Sequence, residues 1–157
     1  MDVIKFNKLN NLPVKMGEPK IRLMTTEDMP YVMGLYHHLS DSYDDNIRSL
    51  KLALEHPSTM VFVAVVDSHI VGTAALSMRA VPSYGLVGYI DDVVVDPSYR
   101  GKGYGKLITK FCADEAARLG CGRLELTCHP SRKEANQLYK GLGFSQRDTN
   151  VYVLHFK

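Results

Sequence analysis

Val93-Val94-Val95-Asp96-Pro97-Ser98-Tyr99-Arg100-Gly101-Lys102-Gly103-Tyr104-Gly105-Lys106 carries the reading of the whole chain. Three β-branched residues end a strand at Asp96-Pro97. Three glycines then alternate through a turn, and a helical period begins. Glycines admit positive φ and let main-chain N–H groups converge on one point. The helix behind them adds N–H groups with no intrahelical acceptor and the positive end of a dipole. Arg100, Lys102, Lys106 and Lys110 surround the turn, with no acid between Arg100 and Lys110. Such a turn suits a polyphosphate, where one lost charge-assisted hydrogen bond costs roughly 1.5–3 kcal/mol. A Walker A loop fails here: counting back from Gly105 puts Arg100 at its first glycine, and Leu107 replaces the required hydroxyl. A dinucleotide fingerprint fits poorly, because the third glycine comes one residue early. A basic, solvated helix start is the plain alternative.

Outward from this turn, residues 86–95 read as a long strand and residues 103–119 as a helix. Leu107, Ile108, Phe111, Cys112, Ala116 and Leu119 form the apolar face of that helix. Upstream, residues 21–24 read as a strand, and Thr25 with Asp28 has capping-box spacing. Met29, Val32, Met33, Tyr36 and Leu39 recur at helical spacing, with Pro30 tolerable in the first turn. Asp44-Asp45 opens a second helix with Ile47, Leu50 and Leu54 as its stripe, stopped at Pro57. Thr59–Val66 is apolar on both faces, as in a strand covered on both sides. Asp67-Ser68 turns the chain into a partner strand over 70–77, and residues 79–84, with Pro82, read as a flexible loop. Downstream, a strand over 123–128, a helix over 131–140 and a closing strand over 151–156 complete the order β, α, α, β, β, β, α, β, α, β. That is an α/β (α+β) fold with a mixed sheet and helices on both faces.

The chain has 157 residues, 45% hydrophobic and 23% charged, with a net charge of +2. This fits one domain over 21–157 preceded by a polar arm over 1–20. Whole-chain disorder is excluded by the apolar content. The net charge argues against nucleic acid as a partner. No apolar run reaches the ~18 residues of a membrane span, and residues 1–20 lack an apolar signal core, so the expected compartment is the cytoplasm with no membrane partner. Three cysteines without metal spacing read as reduced thiols, and no metal is expected.

Arg100-Gly101-Lys102-Gly103-Tyr104-Gly105 resembles the Arg/Gln-x-x-Gly-x-Gly/Ala signature of the GCN5-related N-acetyltransferases, the GNAT superfamily. The helix and turn Arg132-Lys133-Glu134-Ala135-Asn136-Gln137-Leu138-Tyr139-Lys140-Gly141-Leu142-Gly143-Phe144 is similar to the family's A…Y…GF segment. The element order agrees from Ile21 onward. The resemblance implies a GNAT fold whose central sheet splays in the middle, and acetyl-CoA as donor. It implies that Arg100, Gly101, Lys102, Gly103, Tyr104, Gly105 and Lys106 hold the pyrophosphate. Val93, Val94 and Val95 would pair with the pantetheine arm, and a main-chain N–H near Val94 or Val95 would polarise the thioester carbonyl. Tyr139 matches the tyrosine used as general acid, and Asn136 lies on the helix that often supplies a polar contact to the cofactor. Arg132 stands where many members have Asn and reads as a solvated charge. A homodimer is also implied.

For the base, Asp91 ranks first among Asp91, Glu125 and His129. Asp91 and Asp92 interrupt an apolar strand and, by alternation, point to opposite faces. Glu125 alternatively pairs with Arg123, and His129 alternatively caps the turn before Pro130. Ordered water alone is a further route. The expected reaction moves acetyl from acetyl-CoA to a primary amine of a small molecule by direct attack in a ternary complex. The rivals are a non-catalytic acyl-CoA-sensing module and an acetyltransferase acting on protein N-termini or lysines. Residues 88–95 and 119–121 resemble glucosamine-phosphate N-acetyltransferases, from which Thr127 departs, since an acid is usual there. Tyr31, Tyr36, His37, His38, Asp41, Tyr43, Asp44 and Asp45 crowd the segment expected to hold the acceptor, or form a plain polar surface.

Overall fold

A computed structural model of the chain describes residues 4–6, 13–15, 19–39 and 47–156. Asp41, Tyr43, Asp44 and Asp45, and with them the expected start of the second helix, lie outside the described residues. The chain forms two compact units, Met1–Thr127 and Cys128–Lys157.

In the first unit, strands β1 (Ile4–Phe6) and β2 (Pro13–Lys15) pair antiparallel with each other. The main sheet follows: β3 (Lys20–Leu23), β4 (Thr59–Val66), β5 (His69–Val81), β6 (Gly85–Val95) and β7 (Arg123–Leu126), in that spatial order. All neighbours are antiparallel except β6 and β7, which run parallel because α3 (Tyr104–Arg118) makes the crossover between them. Asp67 and Ser68 both have positive φ (48° and 64°), the mirror-image two-residue turn that matches strand twist. The expected loop over 79–84 is a correction: β5 runs on to Val81 and meets Gly85 across a tight turn.

Alternation along β4 separates the two faces. Val61 and Val63 join Met29, Val32, Leu35 and Leu50 of α1 (Met29–Tyr36) and α2 (Ile47–Glu55). Phe62 points the other way, edge-on to Phe111 of α3 at 5.1 Å. Tyr104, Ile108, Cys112 and Ala116 bury the i, i+4 row of α3, whereas Leu107, expected in that row, is exposed. Burial pushes the Cys112 thiol up to about 12, which leaves it an inert apolar group.

The entry to α1 forms as its residues predict. Asp28 accepts from the Thr25 main-chain N–H at 2.8 Å, and its own N–H donates to Thr25 O at 3.1 Å. Arg22 reaches over from β3 and donates to both carboxylate oxygens of Asp28, at 2.5 and 2.9 Å. That fork, with the Thr25 amide, holds the Asp28 carboxyl down to about 2. A carboxyl held below its unfolded value stabilises the fold above the unfolded value of ~4 and loses that contribution as pH falls through the folded value. We expect about 1–2 kcal/mol to disappear between pH ~4 and ~2, less than an isolated buried pair would give because Arg22 is half exposed. Denaturant titrations of the Asp28→Asn variant should show a flatter curve across that window. An unchanged slope would mean that the pair contributes nothing.

The second unit holds α4 (Lys133–Gly141), which starts two residues later than expected. The expected closing strand over 151–156 is not formed. Those residues carry no strand assignment, and Val151, Tyr152, Val153, Leu154 and Phe156 are all exposed. A strand requires a neighbour to take its N–H and C=O groups, and no described strand pairs with this segment.

Candidate active site

The site is built where β6 outruns β7. Pairing of the two strands stops at Ile90 with Leu126, yet β6 continues to Val95. On its other side β6 stays bonded to β5, with Asp91, Val94 and Val95 opposite Ala75, Thr73 and Gly72. Residues 91–95 therefore present a main-chain edge with no strand against it among the described residues. This is the splay that the resemblance implies. Alanine at Gly72 would put its Cβ 2.9 Å from Val94 O, so glycine is what allows β5 so close to that edge. Gly72→Ala should cost about 1–3 kcal/mol through forced strand separation and, since the resemblance assigns this edge to the pantetheine arm, weaken coenzyme A binding with it. Gly34→Ala, in α1 with open space at its Cβ, should do neither. Thermal unfolding and calorimetric titration of both variants check this, and equal behaviour would remove the edge from the site.

Two residues of β6, Asp92 and Val93, stand against the single residue Ala74 of β5, and Asp92 has φ 51°. This bulge breaks strict alternation between Asp92 and Val93, downstream of Asp91. Both carboxyls are open to solvent on one side, yet surrounding atoms desolvate them and raise their pKa values. The neighbouring Asp92 charge raises Asp91 further. A raised carboxylate pKa makes a better proton acceptor near neutrality.

Past β6, the Asp96 N–H donates to Val71 O at 2.9 Å. The Asp96 carboxylate accepts from the Ser98 N–H at 2.7 Å, closing the short turn Pro97–Tyr99. Gly101 and Gly103 follow with φ of 74° and 86°, conformations other side chains rarely adopt. A Cβ at either would meet nothing within 4 Å, so the space above the turn is empty. The first bond into α3 runs from the Leu107 N–H to Gly103 O, and Gly103 has no side chain to cap the helix. The amides of Tyr104, Gly105 and Lys106 thus lack intrahelical acceptors. Those of Gly101, Lys102 and Gly103 have no acceptor among the described residues.

The basic side chains divide. Arg100 Nε donates to Val95 O at 3.1 Å and fastens the turn to β6. Lys102 donates to Ser98 O at 3.3 Å and lies 4.8 Å from the Tyr99 ring centroid. Lys110 pairs with Asp114 at 2.6 Å, one turn too far along to serve the loop. Lys106 is exposed. The Tyr104 ring is buried, and that desolvation raises its hydroxyl pKa.

Glu125 sits between two arginines, accepting from Arg79 at 2.8 Å and paired with Arg123 at 2.5 Å. Arg123 stacks on Tyr84 at 3.7 Å. A carboxylate so held acts as a strut between β5 and β7. Sequence reading anticipated Arg123 and missed Arg79, whose reach to Glu125 follows from the β5–β6 register.

Asn136 and Tyr139 belong to the second unit. Asn136 Nδ2 donates to Arg132 O at 2.9 Å and His129 O at 3.0 Å, so its amide ties the turn before α4. His129 Nδ1 accepts from the Ser131 N–H at 3.2 Å, the capping role set beside catalysis above. The Tyr139 ring packs edge-on against Phe144 at 5.9 Å, and its hydroxyl has no hydrogen-bond partner among the described residues. Burial raises its pKa, with Cys128 adding to the effect and Arg132 opposing it. Its phenol stays protonated at neutral pH.

Residues 21–144 match the acetyltransferase (GNAT) family. The chain belongs to that family. A glucosamine 6-phosphate N-acetyltransferase of Trypanosoma brucei brucei is 38% identical over 95 residues, covering 59% of this chain and 63% of that protein. The match thus spans less than two thirds of that relative. Among solved structures, the glucosamine-6-phosphate N-acetyltransferase of Arabidopsis thaliana superposes with a TM-score of 0.72 at 24% identity, covering 88% of this chain and 99% of that one. An aminoglycoside N-acetyltransferase solved with CoA gives a TM-score of 0.78 at 20% identity over 88% of this chain and 95% of that one. These two likenesses concern the fold. No helix among the described residues is long and apolar enough to cross a membrane.

Proposed function

We propose that the protein transfers the acetyl group of acetyl-CoA to a primary amine of a small molecule, by direct attack in a ternary complex. The observation that carries this is the pairing of two unfilled main-chain surfaces. The turn from Gly101 to Lys106 offers amides to a pyrophosphate, and the edge over 91–95 offers a strand face to the pantetheine amides. Acetyl-CoA supplies the activated acyl group. Arg100, Lys102 and Lys106 set a positive field around its phosphates, and the N-terminal dipole of α3 adds to it. A main-chain N–H at Val94 or Val95 polarises the thioester carbonyl, with Val93 holding the arm in register. An attacking amine must be neutral, and Asp91, with its raised pKa, takes the proton directly or through water. Tyr139 returns a proton to the departing thiolate. Glu125 and Asn136 are left as positioning groups by their hydrogen bonds.

The names of the trypanosomal and plant relatives favour an amino-sugar phosphate as acceptor. The Thr127 departure leaves the choice to experiment, and the Thr127 hydroxyl accepts from Tyr89 at 3.1 Å. The three free cysteines fit the reducing cytoplasm, where the enzyme works as a homodimer, without metal, nucleic acid or membrane. A thiol-release assay with acetyl-CoA against amino-sugar phosphates, polyamines, amino acids and aminoglycosides tests the reading. Release with at least one small amine is expected. CoA binding with no release across the panel would make the chain a sensing module, and release with peptides alone would move the acceptor to proteins.

A further inference from the structure

Pairing between β6 and β7 runs Val87–Arg123, Gly88–Leu124, Tyr89–Glu125 and Ile90–Leu126, then stops. One step further in the same parallel register, Asp91 and Thr127 stand across from each other where the strands part. Against β5 the register is regular through Tyr89, Ile90 and Asp91, so Tyr89 and Asp91 share a face of the sheet. Thr127 shares it by the same alternation from Glu125, and the Tyr89 hydroxyl donates to Thr127 Oγ1 at 3.1 Å. Asp91 and Thr127 are exposed, and Tyr89 is half-buried. The mouth of the splay therefore carries a carboxylate on one strand and a hydroxyl on the other. The hydroxyl is held from within the sheet. The Tyr89 O–H occupies one lone pair of Oγ1, which leaves the second lone pair to a ligand.

We infer that Asp91 and Thr127 together grip the two N–H bonds of a primary amine, and that Tyr89 is a positioning residue for the Thr127 hydroxyl. This rests on the acetyl transfer proposed above. The spacing supports it. Neighbouring strands lie about 4.8 Å apart. Two N–H···O bonds of ~2.9 Å that leave one nitrogen at a tetrahedral angle end on oxygens about 4.7 Å apart. Acceptors on adjacent strands at the first step of the splay thus match a single amine nitrogen. They fix two of its four directions. The substituent takes a third, and the lone pair takes the last. In the transfer the N–C bond forms as the C–S bond breaks, and the thiolate is protonated as described above. The N–H on Asp91 gives its proton to that carboxylate. The N–H on Thr127 survives as the amide N–H of the product. A secondary amine has one N–H, so once Asp91 takes it Thr127 has nothing to accept. The hydroxyl therefore selects primary over N-methylated amines.

Steady-state acetyl transfer by the full chain tests this, with product read by mass so that slow turnover is measured. The amines are glucosamine 6-phosphate, putrescine, lysine and kanamycin, and then the N-methyl derivative of the fastest of them. Thr127→Val keeps the shape and removes the hydroxyl. It should lower kcat/KM for the primary amine about tenfold and leave the N-methyl amine within about twofold. Thr127→Ser keeps the acceptor and should stay within about threefold of the parent, which covers the case where the valine variant folds poorly. Tyr89→Phe should cost the primary amine about threefold. Added to Thr127→Val it should cost nothing more, because it acts through that hydroxyl alone. Acetyl-CoA affinity and thermal unfolding should match the parent in every variant. A parent chain that acetylates none of these amines overturns the transfer and the grip with it. An active parent whose Thr127→Val variant is equally fast, or is slowed alike on both amines, overturns the grip and leaves the transfer standing. A Tyr89→Phe loss that adds in full to the Thr127→Val loss overturns the positioning role.

Discussion

Gly103→Val is expected to lower coenzyme A affinity at least about 100-fold while leaving the fold in place. The reason is local. Gly103 holds φ 86° at the start of α3, and nothing lies within 4 Å of where its Cβ would sit. A Cβ there meets no protein atom beyond its chain neighbours, and the valine side chain stands in the space over the amides. It also strains a left-handed conformation by about 1–2 kcal/mol. Relief of that strain rotates the amides of Gly103 and Tyr104 away from a common point. Each lost charge-assisted hydrogen bond costs roughly 1.5–3 kcal/mol, so two suffice for the predicted loss. Calorimetric titration with coenzyme A reads the affinity, and thermal unfolding confirms that the sheet survives. A valine variant that binds normally would remove the turn from the donor site and with it the proposed function.

Tyr139→Phe should lower turnover by about 100-fold or more, the scale of a general acid, with acetyl-CoA affinity nearly unchanged. Phenylalanine keeps the edge contact with Phe144 and removes only a hydroxyl that has no partner among the described residues, so stability should hardly move. Burial raises the Tyr139 pKa, with a smaller push from Cys128. The acid form is thus present at every pH below the ordinary phenol value of ~10, and its loss should limit the rate only above that. The wild-type pH–rate profile should fall on its alkaline side above ~10, and the phenylalanine variant should lack that fall. Unchanged turnover would assign protonation of the thiolate to water.

Much of this was legible because it depends on short stretches. Helix and strand periods, the Thr25–Asp28 cap and the Asp67-Ser68 turn are set by neighbours within four residues. The glycine turn after Val95 was equally local, since a positive φ and a helix start need no distant partner. The bulge at Asp92 was not legible: it exists only because two residues of β6 face one of β5, and the sole sequence hint was a pair of carboxylates in an apolar strand. Nor was the fate of Glu125, whose partner Arg79 lies 46 positions away in sequence and is brought close by strand register.

The amino-acid order by itself determined most kinds of element, the glycine turn of residues 100–106 and the family, because each follows from side-chain type at fixed short spacing. Tertiary structure alone decided that β6 outruns β7, that Asp92 bulges, that Glu125 is a strut and that residues 151–156 join no strand among the described residues. Those outcomes depend on which main-chain edges meet. Edge-to-edge pairing is a contest between segments far apart in the chain, and no local preference can settle it.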